Sequence, residues 1–117
     1  METRSEILGR LELGLKRYNH GVRVDDDTRT WGTPKDSWME MAKEELLDAI
    51  IYTIADYIRN VRSEGERAPL SFRKNDELDD NKLIMSIVDD WEYVESPQHK
   101  MVLWNLFKML NSDIFRD

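Results

Sequence analysis

The sequence has no cysteine, which excludes disulfides and thiolate metal sites and leads one to expect a reducing compartment. It is short of positive charge, with 17 Lys and Arg against 24 Asp and Glu and a net charge of -7. A protein that grips phosphate backbones needs a cationic surplus, so nucleic acid is excluded as an expected partner. No apolar run approaches the ~20 residues that cross a bilayer, and METRSEILGR lacks the apolar core of a secretory leader, so a cytoplasmic protein with no membrane partner is expected. Missing too are sustained period-2 alternation, Asn-Gly or Asp-Gly hairpin signals and internal repeats, which argues against β-structure and solenoids.

What is present is apolar residue in helical rhythm: 40% of residues are hydrophobic and 35% charged, a balance suited to amphipathic helices around one core. At 117 residues the whole chain, 1–117, is expected to form one all-α domain, a four-helix bundle. The first helix is expected from a capping box at Thr3 and Glu6, with Ile7, Leu8, Leu11, Leu15 and Tyr18 as its buried stripe. Gly9 and Gly14 each cost that helix about 1 kcal/mol relative to Ala, so packing must hold it, with another backbone in close approach. Residues 19–36 are expected as a loop and 63–75 as a connector. Between them runs a long second helix, started by Thr33 before Pro34 or by Ser37 with Glu40 and ending near Val61. A third helix buries Leu83, Ile84, Ile87, Val88 and Trp91, and a fourth starts at Ser96 with Pro97 in its first turn. The fourth helix is apolar on most sides, which places it centrally or under another subunit.

Chemistry is concentrated at the front of the second helix. At 100° per residue, Glu40, Glu44, Glu45 and Asp48 share one side, opposite the apolar arc of Leu46, Leu47, Ile50, Ile54, Tyr57 and Ile58. Glu40 with Glu44, and Glu44 with Asp48, are like-charge i,i+4 pairs, each costing an isolated helix about 0.2–0.5 kcal/mol. The positive helix N-terminus offsets part of that cost, and a divalent cation would offset the rest. Ala49, Tyr52 and Ala55 flank Asp48 and Asp56, so this side is expected to meet protein as well.

Glu45-Leu46-Leu47-Asp48, within EELLDAIIY, is similar to the ExxD half-motif of the MazG-like all-α nucleoside triphosphate pyrophosphohydrolases, and Glu44 matches the acidic residue that often precedes it. The resemblance spans Leu8 to Arg62. It implies cleavage between the α- and β-phosphates of a (deoxy)nucleoside triphosphate, Mg²⁺ (or Mn²⁺) held by carboxylates of two neighbouring helices, and assembly as a homo-oligomer, dimer or tetramer. Relatives encoded by phages act on deoxynucleotide pools. The family's first half-motif, ExxE on the preceding helix, is not matched, since Glu6 and Glu12 there are six apart.

From the resemblance, Glu44, Glu45 and Asp48 are the expected catalytic carboxylates, joined by Glu12 and Glu40 as candidate metal ligands, with the general base unassigned. Lys16, Arg17 and Arg23 are the available cations for phosphate, and Trp38 and Tyr52 the aromatic surfaces for a nucleoside. His99 is expected to be structural. The alternative is a non-catalytic acidic helical protein that docks a basic partner through its apolar third and fourth helices, which explains the carboxylates without metal.

Overall fold

The computed structural model describes residues 2–116, and these are all-α: α1 (Glu2–Tyr18), α2 (Trp38–Arg62), α3 (Asn81–Asp89) and α4 (Pro97–Leu110), with short 3₁₀ turns between and after them. No helix is long and apolar enough to cross a membrane among the described residues. The chain expected as one domain clusters into two compact units, dividing between Asp36 and Ser37.

In the first unit Thr3 lies inside α1 instead of capping it. The helix ends where Asn19 turns left-handed (φ 64°), a conformation that Asn tolerates better than most residues. None of the described residues of α1 is buried; Leu8, Leu11 and Leu15 are about half exposed. The expected close backbone approach at Gly9 and Gly14 is also not found, since a Cβ at either would meet nothing within 4 Å. What orders this unit is polar. Thr28, fully buried, shares a hydrogen bond with the Thr33 hydroxyl (2.8 Å), while its backbone N–H donates to Asp36 Oδ1 (3.0 Å). The Thr33 hydroxyl in turn donates to the Lys35 carbonyl (2.6 Å), so the segment 28–36 closes on itself and includes a 3₁₀ turn, Thr28–Trp31. Trp31 meets Tyr18 edge-on, ring centroids 5.7 Å apart.

The second unit holds the apolar core. Of the two candidate starts of α2, Ser37 is used, its Oγ accepting the Glu40 N–H at 3.2 Å. Ile50, Ile54, Tyr57 and Ile58, at i, i+4, i+7 and i+8, put one stripe of α2 against Ile87 of α3, Val94, and Leu103 and Leu106 of α4. The remaining α3 stripe, Leu83, Ile84 and Val88, packs around this cluster with Trp91. Residues 63–75 do more than connect: Ala68 is buried and Phe72 stands edge-on to Tyr57, centroids 5.7 Å apart. Arg62 pins them, its Nε donating to the Phe72 carbonyl and its Nη2 to Asp80 Oδ1 at 2.9 Å. Asp80 is the N-cap residue of α3 yet its side chain makes no capping bond, because the carboxylate is turned to Arg62. In α4, Ser96 accepts the His99 N–H, and Leu103 and Leu106 are buried, while Met101, Val102 and Trp104 face outward.

Candidate functional site

In an α-helix residues four apart form an inclined ridge. Glu40, Glu44, Asp48, Tyr52 and Asp56 are such a ridge on α2, with Glu45 beside it. Glu40 and Asp48 are half-buried and Glu44 and Glu45 exposed, as the opposed apolar stripe requires. Among the described residues the side chains of Glu44, Glu45 and Asp48 make no hydrogen bond or ion pair. Tyr52, expected to be flanked by protein, is open to solvent at 66% exposure, and Ala55 is exposed too. The aromatic ring that continues the carboxylate ridge is therefore available to a ligand.

The ridge runs into a shallow depression of about 350 Å³ lined by Tyr52, Thr53, Asp56, Gln98, His99 and Val102. His99 is its ordered centre. Nε2 lies 2.7 Å from Asp56 Oδ2 and Nδ1 2.5 Å from Ser96 Oγ. An ionised carboxylate only accepts, so Nε2–H donates to Asp56; in the neutral ring Nδ1 then accepts the Ser96 hydroxyl proton. The ring also stacks at a tilt on Tyr57, centroids 5.7 Å apart. His99 thus does the structural task expected of it, joining α2 to α4, and in doing so shapes the end of the depression. Sequence reasoning missed its partners because Asp56 and Ser96 are 40 residues apart and only the packing of α4 on α2 brings them together. A partial signal was there in Ser96-x-x-His99, an N-cap with a hydrogen-bonding ring at the third helical position.

The remaining expected site residues fall on other elements or at the start of α2. Trp38 is the first residue of α2 and 38% exposed. Glu12, Lys16, Arg17 and Arg23 belong to the first unit and are exposed. Arg23, exposed, is engaged by Asp26 at 3.2 Å and His20 Nε2 at 2.9 Å. Nearby, the Arg29 guanidinium hydrogen-bonded to Asp27 holds that carboxyl below its usual range.

The donor chemistry of the ridge fits Mg²⁺ in kind. That ion is commonly bound through one or two carboxylates, with water and substrate phosphate completing an octahedron, and Glu44 with Asp48 offers such a pair. No group of three His, Cys, Asp or Glu that could hold a metal by itself occurs among the described residues. Comparisons with protein-family models, with curated proteins and with solved structures each return no match.

Proposed function

We propose that the chain is a Mg²⁺-dependent nucleoside triphosphate pyrophosphohydrolase whose working surface is the Glu44–Asp48–Tyr52 ridge of α2. The observation that carries this reading is the placement of Glu44 and Asp48 one helical turn apart on α2, without an ion pair among the described residues, next to the open ring of Tyr52. Like charges kept together without a partner suit a site whose counter-ion arrives with the substrate.

Glu44 and Asp48 would hold the Mg²⁺, with Glu45 beside them, and the ion would supply charge neutralisation on phosphoryl oxygens. Tyr52, one turn beyond Asp48 and open, offers a ring face on which a nucleoside can stack, with the depression by Gln98 and His99 beyond it. A carboxylate not committed to the ion orients the attacking water, and no covalent nucleophile is needed. The test is pyrophosphate release from a panel of nucleoside and deoxynucleoside triphosphates with Mg²⁺. Asp48→Ala is expected to abolish it with helix content unchanged by circular dichroism. Absence of release from every triphosphate in the panel overturns the proposal.

A second reading, docking of a partner protein, is favoured by the exposed apolar side chains of the second unit, where Trp91, Pro97, Lys100, Met101 and Trp104 line a surface hollow. Apolar patches of this kind mark interaction sites, and the chain's net charge of -7 suits a basic partner apart from the cations Lys100 and Lys108 at the hollow itself. This reading expects no turnover and no rise of melting temperature with Mg²⁺, so the same preparation separates the two.

A further inference from the structure

A partly enclosed cavity lies away from the carboxylate ridge, between the C-terminal half of α2, the 63–75 segment and α3, and measures about 370 Å³. Its floor is apolar, built from Val61, Phe72, Leu83 and Ile87, and Tyr57 stiffens one wall because its hydroxyl accepts the Glu95 N–H at 3.3 Å. Its rim carries Glu64, Asp90 and Glu95 against one cation, Arg67.

The backbone adds to this imbalance. Glu64 lies just past the end of α2 and Asp90 is the C-cap of α3, so two helix carboxyl ends, each a partial negative charge, come to the same rim. The last turn of α3 carries no basic residue, and of the two in the last turn of α2, Arg62 is turned to Asp80 and the Phe72 carbonyl while Arg59 is not among the residues lining the cavity. An anion would meet carboxylates and carbonyl ends here, whereas a cation would offset both. The three carboxylates do not converge on one point, since no group of three acidic or histidine side chains suited to a metal ion is found among the described residues. Spread charge over an apolar floor matches an elongated organic cation, whose methylene stem covers the floor while its head stays at the wet rim.

We infer that this cavity binds an ammonium or guanidinium group carried on an apolar stem, either a free alkylamine or the side chain of a Lys or Arg presented by another polypeptide. Tyr93, 81% exposed at the rim, supplies the ring face for the cationic head. The inference is independent of both functional readings above, because none of the lining residues belongs to the ridge or to the hollow on α4 other than through the shared core.

The experiment is a titration of the full chain, followed by amide NMR shifts, with pentylamine and pentylguanidine as free cations, N-acetyl-arginine and N-acetyl-lysine methylamides as side-chain probes, and hexanoate as the anionic control. Saturable shifts are expected at Ile87, Tyr93 and Val94 with the cations and none with hexanoate. Asp90→Asn and Glu95→Gln are each expected to weaken binding by about two- to five-fold, in line with single exposed charge pairs. Both residues are exposed and the backbone bonds of their amides survive the change, so the fold is retained, as melting temperature will check. Binding of the free amines alone assigns the site to a small molecule; binding of the blocked residues as well assigns it to a partner's side chain. No saturation by any cation at millimolar concentration, equal binding of hexanoate, or undiminished binding in the double variant overturns the inference.

Discussion

Asp80 shows how a residue's task is set by its neighbours more than by its position. It sits where an N-cap belongs, but Arg62, 18 residues earlier, takes its carboxylate, and the hydrogen bond from that guanidinium holds the carboxyl below its usual range, with its positive charge adding to the effect. A carboxyl whose folded pKa is depressed stabilises the fold while ionised and loses that contribution as pH falls from the ordinary carboxylate value through the depressed one. The urea midpoint is therefore expected to decline below about pH 4, and Asp80→Asn to lower it at neutral pH and flatten part of the acid limb. Comparing variant with parent at each pH isolates Asp80 from Asp27, which Arg29 perturbs in the same direction. That Arg62 claims the Asp80 carboxylate follows only from the way 63–75 folds back.

At the scale of elements, the helices of the second unit were legible because each combines a start signal with one apolar stripe. Ser37 and Ser96 cap as expected, and the α3 stripe is the one the spacing gives. The choice between Thr33 and Ser37 was not legible, because Thr33 has its own competing task, donating to the Lys35 carbonyl and bonding Thr28. Phe72 was missed for a simpler reason: one aromatic among charges has no period. Leu103, fully buried on α4, belongs to the apolar cluster that joins α4 to α2. Leu103→Ala is expected to cost about 2–5 kcal/mol, read as a lower urea midpoint with an unchanged slope, whereas Trp104→Ala on the outward face, 53% exposed, is expected to cost far less.

For the whole molecule, stability is divided unevenly. The apolar core lies in residues 37–116, while the buried residues of the first unit are Thr28 and Thr33. Local opening follows buried contact, so α1 amides are expected to exchange hydrogen much faster than those of α2 between Ile50 and Ile58, as mass spectrometry of exchanged peptides will show. Equal protection of the two helices would mean that α1 is covered by something beyond the contacts described. The expected burial of Ile7, Leu8 and Leu11 rested on periodicity, and periodicity reports which face could be buried without naming what buries it.

Local rules thus settled what depends on near neighbours in sequence: that the chain is helical, where most helices begin, and that α2 carries a run of carboxylates on one side. Pairing across distance was decided by tertiary packing alone, as with His99 reaching Asp56, Arg62 drawing in Phe72 and Asp80, and two helix ends meeting three carboxylates around one cavity. Hydrogen bonds and ion pairs act over a few ångströms of space, and residues tens of positions apart come within that range only once apolar stripes have chosen their partners.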